Sequence, residues 1–205
     1  MHSLVYLHGY FSSPDSAKAQ ATAAWCAVHY PQLQVHIPVL PMTPTPAREQ
    51  IAALLDEIIA AQPASAPPPA LIGSSMGGFF ANYFAEHYGC RAVLVNPAVR
   101  PNELFADLVA SQENAQAAQL HNPYTGESCT LTAQHMVELR GLVVEPMTHP
   151  EHRMVLLETG DETLDYRDAE AFYRAANCHI ETGGDHSFTR YEAWLPRIAQ
   201  FLQLG

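Results

Sequence analysis

The chain has 205 residues, 48% of them hydrophobic, with a mean hydropathy of -0.08. That suits one globular domain over residues 1–205, long enough to bury roughly 70% of the surface its unfolded chain exposes. With 10 Lys+Arg against 21 Asp+Glu, the formal net charge of -11 repels phosphate backbones and anionic lipid, so no nucleic-acid partner is expected. No apolar run approaches the ~20 residues of a membrane span, and Met1 to Leu7 lacks the basic region, long apolar region and cleavage site of a signal peptide. A cytoplasmic protein is expected. Cys26, Cys90, Cys129 and Cys178 form no C-x-x-C pair and read as reduced, mostly buried thiols.

Taken in order, Leu4 to Leu7 is a short apolar strand running into a turn at His8 and Gly9. A helix follows, capped by Ser13 or Asp15, with Ala17, Ala21, Ala24, Trp25 and Val28 at helical spacing until Pro31. Val35 to Ile37 is a second strand. After a Pro-rich loop, Thr45 as N-cap and Pro46 at the first position start a helix whose apolar face carries Ile51, Leu54, Leu55, Ile58 and Ile59. The segment Pro63 to Pro69 reads as a stiff surface connection.

Ala70 to Gly73 is a third strand, and a helix from Phe79 to His87 comes soon after it. Between them lies Gly73-x-Ser75-x-Gly77, the nucleophile-elbow pattern, in which a serine occupies a sharp strand-to-helix turn. Arg91 to Pro97 gives a fourth strand, Met154 to Leu157 a fifth and Cys178 to Glu181 a sixth, with helices from Tyr166 to Ala175 and around Trp194, Ile198, Phe201 and Leu202. Strands alternating with helices predict about six mostly parallel strands covered on both faces. Residues 101–145 break this rhythm with polar turns and helical patches, and are expected to form a lid or cap insertion.

In an open parallel sheet, ligands bind beyond the carboxyl ends of the strands. Ser75, Asp161 and His186 each close a predicted strand, in the chain order of α/β-hydrolases. Serine needs a base, and imidazole with an ordinary pKa near ~6.5 suits that work at neutral pH. Asp161 would orient His186 and stabilise its charged form, whereas Asp165 and Asp168 suit helix capping and Asp185 suits a loop contact. The backbone N–H groups of Tyr10 and Met76 are expected to receive an oxyanion. His8, Phe11 and Arg100 are further candidates for substrate contact, His8 also as a support behind the loop and Arg100 also as half of a buried ion pair. No histidine pair has the spacing of a zinc hydrolase helix, so neither metal nor cofactor is expected.

Several blocks carry a resemblance: Tyr6-Leu7-His8-Gly9-Tyr10 with Ser12-Ser13-Pro14, Gly73 to Gly78, Val95 to Pro101, Asn122 to Gly126, Thr159 to Glu162 with Asp165-Tyr166-Arg167, and Gly183 to Phe188. Together they resemble the YqiA-like esterases, compact bacterial α/β-hydrolases, across nearly the whole chain. Met76 and Phe79 stand where leucine and tyrosine are usual there, and Ser187 where alanine is common; no catalytic group is lost. The resemblance implies a carboxylic-ester or acyl-thioester hydrolase, with acyl-CoA among the candidate substrates, working through Ser75, Asp161 and His186. The alternatives are a hydrolase-fold protein that binds a small molecule without turnover, and an acyltransferase.

Overall fold

The computed structural model describes residues 2–110 and 117–205. In chain order it contains β1 (Ser3–Leu7), α1 (Ala17–His29), β2 (Gln34–His36), α2 (Pro44–Ala60), β3 (Ala70–Ser74), α3 (Met76–Tyr88), β4 (Ala92–Val95) and α4 (Pro101–Ala110). There follow β5 (Ala117–His121), β6 (Ser128–Thr132), α5 (Ala133–Arg140), β7 (Arg153–Glu158), α6 (Tyr166–Phe172), β8 (Asn177–Glu181) and α7 (Tyr191–Leu202).

Six strands form one sheet in the order β2-β1-β3-β4-β7-β8, every neighbouring pair parallel. The sheet is that of an α/β-hydrolase fold. Strand order reverses between β1 and β3, which opens a crevice beyond their carboxyl ends. The central strands are buried on both sides, so they read as continuous apolar runs without alternation. One face packs Val5, Leu7, Leu71 and Leu94 against Ile51, Leu55, Phe80 and Phe84 from α2 and α3. The other packs Leu4, Ile72 and Val93 against Ala19 and Cys26 of α1 and Trp194 and Ile198 of α7. Each such large side chain contributes about 1.5–3 kcal/mol of burial.

Several boundaries differ from expectation. The N-cap of α1 is Ser16, because Ser13 is occupied upstream, its Oγ accepting from Asp15 N at 3.2 Å and its carbonyl from Ser16 N at 3.1 Å. Helix α2 starts with Pro44 after an extended Thr43, two residues before the expected start. Pro44 satisfies the first-turn preference as well as Pro46 does, and the Thr45 hydroxyl instead donates to Glu138 Oε2 at 2.8 Å, joining α2 to α5. Helix α6 ends at Phe172, with Tyr173 buried under it.

The segment expected as turns and helical patches contains an antiparallel hairpin, β5 on β6, between α4 and α5. Its strands, Ala117–His121 and Ser128–Thr132, bury only Ala118 and Leu131 outright, so the period-two signal is weak. Residues 111–116, within the expected lid, lie outside the described residues.

Arg153 opens β7 with a side chain 0% exposed. Its guanidinium donates to Asn82 Oδ1 at 3.2 Å, to the His149 carbonyl at 2.9 Å and to Glu86 Oε2 at 2.7 Å. It thereby pins α3, the helix after the elbow, to the far side of the sheet. Removing one partner of a buried pair leaves the other uncompensated, which costs about 3–5 kcal/mol. Arg153→Met is therefore expected to lower the unfolding free energy by about 3 kcal/mol, read from urea denaturation.

Candidate active site

Ser75 sits between β3 and α3 with φ 56° and ψ -120°, a conformation that strains any residue with a Cβ. The turn can close only because its flanks are bare. A Cβ at Gly73 would overlap the Gly77 carbonyl, and one at Gly77 would overlap the Leu7 carbonyl. The surroundings lock the turn: Ser75 N donates to Val95 O at 3.0 Å, while Ser75 O accepts from Gly78 N at 2.9 Å and Ala98 N at 3.1 Å.

The three residues expected to act together meet in one hydrogen-bonded line. Ser75 Oγ lies 3.1 Å from His186 Nε2, and His186 Nδ1 lies 2.9 Å and 2.8 Å from the two carboxylate oxygens of Asp161. A carboxylate only accepts, so the proton on this side belongs to Nδ1, and Nε2 is left to accept from the serine hydroxyl. The Asp161 side chain is 2% exposed and that of His186 23%. Asp161 Oδ1 also accepts from Thr163 N and Leu164 N at 2.9 and 2.8 Å, which fixes the carboxylate's orientation. Asp165 caps α6 and Asp185 accepts from Ser187 N, the supporting roles expected of them.

The same line opens on a cleft of about 590 Å³ whose walls include Tyr10, Phe11, Met76, Leu104 and Phe105. The N–H groups of Tyr10 and Met76 have no acceptor among the described residues. Asn122, buried in the hairpin turn, donates to the carbonyls of Tyr10 at 3.3 Å and Ser12 at 2.9 Å and so holds the loop that carries the first of these N–H groups. Phe11 stands at the mouth, half exposed, its ring edge-on to Tyr10 at 4.9 Å.

The other two candidates lie elsewhere. His8 is buried; its Nδ1 donates to Gly9 O at 2.8 Å and its Nε2 accepts from Leu40 N at 3.1 Å, a brace between two loops. Burial pushes its pKa down, which suits the neutral ring these bonds require. It borders a separate apolar pocket of about 20 Å³ behind Tyr10, Met76 and Phe105. Arg100 pairs with Glu145 at 2.9 Å and its guanidinium lies over the Phe172 ring, 5.3 Å from the centroid. Its pair is at the surface, with side chains 41% and 60% exposed, because α4 begins at the sheet's rim.

Sequence reasoning did not reach the supports of the His186 loop. Asn96, with φ 40°, donates from Nδ2 to the carbonyls of Asp185 at 3.1 Å and His186 at 3.2 Å. Its Oδ1 accepts from Glu158 N at 3.0 Å. Buried Glu158 accepts from Asp185 N at 2.9 Å and Thr189 N at 3.2 Å, and Gly184, at φ 73°, leaves the space its carboxylate fills. The only local signal was an asparagine ending an apolar strand before proline. Removing a buried hydrogen-bonding side chain costs about 1–3 kcal/mol per group left unpaired. Asn96→Ala is expected to lower stability by about 2–3 kcal/mol and to speed amide exchange selectively over residues 183–189, measured by hydrogen-exchange mass spectrometry.

The fold recurs in solved structures of low sequence identity. α/β Hydrolase domain-containing protein 10 from mouse matches with a TM-score of 0.74 at 16% identity, over 98% of this chain and 89% of that one. Est1E from Butyrivibrio proteoclasticus matches with a TM-score of 0.70 at 14% identity, over 98% of this chain and 87% of that one. The Pyrococcus furiosus esterase Pf2001 matches with a TM-score of 0.64 at 14% identity, over 100% and 82%. The model of the uncharacterised protein family UPF0227 matches residues 3–203. With nearly its whole length matched, and with motif blocks running in order from the first strand to the last loop, the chain belongs to UPF0227, the YqiA family.

Proposed function

We propose that this protein is a serine hydrolase that cleaves carboxylic esters or acyl thioesters through an acyl-enzyme on Ser75. The observation that carries the reading is the Ser75–His186–Asp161 line, at 3.1 and 2.8 Å, ending in a cleft beside two N–H groups with no acceptor among the described residues. His186 Nε2 takes the serine proton as Oγ bonds to the acyl carbon, and Asp161 stabilises the imidazolium from the other side. The carbonyl oxygen, now negative, is received by the N–H groups of Tyr10 and Met76, each such donor being worth about 3 kcal/mol in the transition state. Collapse breaks the bond to the alcohol or thiol, which leaves with the proton held by His186. Water then repeats the sequence: its proton passes to His186, its oxygen joins the acyl carbon, and Ser75 regains its proton as the acid departs.

The substrate is a small molecule, since a cleft of about 590 Å³ lies within the size range of small-ligand sites. The described part of the 101–145 insertion acts as a lid through Phe105, which borders both this cleft and the smaller apolar pocket. That wall sets how far an acyl chain reaches. Esters and thioesters, acyl-CoA included, enter the same chemistry, and the four unpaired cysteines suit the reducing cytoplasm.

Ser75→Ala is expected to reduce hydrolysis of p-nitrophenyl butyrate by at least about 10⁴-fold and to remove the fluorophosphonate adduct seen by intact mass. Unchanged turnover in that variant overturns the mechanism. A wild-type protein that takes no adduct points to binding without turnover, and product analysis with competing alcohols or thiols reveals acyl transfer. Phe105→Ala should join the two cavities and move the optimum in a p-nitrophenyl ester series toward longer acyl chains, measured as kcat/KM against chain length.

A further inference from the structure

The chain contains a single lysine, Lys18, and it lines the cleft that holds Ser75. Its ammonium donates to the carbonyl of Ser187, the residue after His186, at 2.6 Å. That uses one of three N–H groups, and Lys18 forms no ion pair among the described residues. Burial lowers its pKa, while Asp185, Glu158 and Asp161 oppose the shift from a distance. A half-buried cation with two N–H groups unengaged among the described residues, and only distant carboxylates to offset its burial, gains from an anion that meets it directly.

Two hydroxyls line the same cleft. Tyr6 lines the same cleft from β1, fully buried, and its hydroxyl, close to Ser74, has no partner of hydrogen-bond geometry among the described residues. Burial raises its pKa well above the ordinary phenol value, so it stays a donor. Ser16 is the N-cap of α1, yet its hydroxyl caps nothing and is likewise buried without a partner among the described residues. The start of α1, where Lys18 is the second residue, therefore turns its positive end and an idle hydroxyl toward the cleft.

We propose that Lys18, Tyr6 and Ser16 form a subsite for a carboxylate on the substrate, so that the ester hydrolysed carries a free acid group close to the bond that is cut. One lysine, with Asp15 also on the cleft wall, matches a single negative charge better than a doubly charged phosphate. The inference rests on the serine-hydrolase reading for the word substrate, but the binding it asserts needs no turnover.

The test uses the Ser75→Ala protein and isothermal calorimetry with two inert ligands, monomethyl glutarate and dimethyl glutarate. The monoester is expected to bind on the order of tenfold more tightly, a preference lost on adding Lys18→Met and kept on adding Lys18→Arg. Equal affinities, no binding of the monoester, or a preference that survives Lys18→Met overturns the subsite. Methyl phosphate binding more tightly than the monoester overturns the choice of carboxylate. In the wild-type protein the same subsite predicts a higher kcat/KM for p-nitrophenyl hemiglutarate than for p-nitrophenyl valerate, and the ratio of the two falls to about one in Lys18→Met. If Lys18 only ties the His186 loop, that variant lowers both rates by the same factor and the ratio stays. A protein that hydrolyses neither ester and takes no fluorophosphonate fails the hydrolase reading, while the calorimetric preference still decides the subsite.

Discussion

The centre of this molecule depends on one backbone conformation, the positive φ of Ser75. A left-handed turn between a buried strand and a buried helix costs about 1–3 kcal/mol, and it persists because neighbours on three sides leave it no alternative. Val95 and Ala98 bond its backbone, Gly73 and Gly77 let two carbonyls approach where a methyl group would collide, and Gly78 allows Pro97 to press against the first turn of α3. The strain aims Oγ out of the sheet. The same closure leaves the Met76 N–H without an acceptor among the described residues, so the turn that presents the hydroxyl also presents a donor beside it.

The sheet order explains why the remaining groups arrive at this turn. With β1 beside β3 and β4 on the other flank, the loops after β1, β3, β7 and β8 end at one rim. Tyr10, Ser75, Asp161 and His186 each occupy one of these loops. None of them is brought there by a contact of its own that would hold it in the unfolded chain; the parallel register sets their separation before any side chain meets another.

That is why so much was legible in the sequence. Strand ends are marked by apolar runs stopping at Gly, Asn or Thr-Gly, and reactive residue types at those stops are few. Ser75, Asp161 and His186, which meet in one hydrogen-bonded line, could be picked out one loop at a time, as could Asp165 and Asp185 in their supporting roles. The hairpin β5–β6 was not legible, because its strands bury one residue each in full and mix Ala, Leu and Cys with Gln, His, Ser and Thr on the rest. Cap positions also slipped, Thr43–Pro44 for Thr45–Pro46, where two Thr-Pro pairs in succession offer nearly equal local energies and tertiary packing decides.

Asn96 and Asn122 were illegible for a different reason. Each looks locally like an ordinary turn asparagine, and each is buried with its side-chain amide spent on a loop far away in sequence, Asn96 across 89 and 90 residues and Asn122 across 110 and 112. Asn96 holds the loop of the proposed base, and Asn122 holds the loop of one proposed oxyanion donor. In both, a planar amide offers two donors and an acceptor in fixed directions, so the nitrogen grips two foreign carbonyls, while the oxygen accepts from Glu158 N across the sheet in Asn96 and from Tyr124 N and Thr125 N of its own turn in Asn122. Asn122 sits in the hairpin of the insertion, so the segment that lines the cleft with Leu104, Phe105 and Tyr124 also holds the loop of Tyr10. Through these two hydrogen bonds the packing of the insertion is coupled to the loop that carries the proposed oxyanion donor.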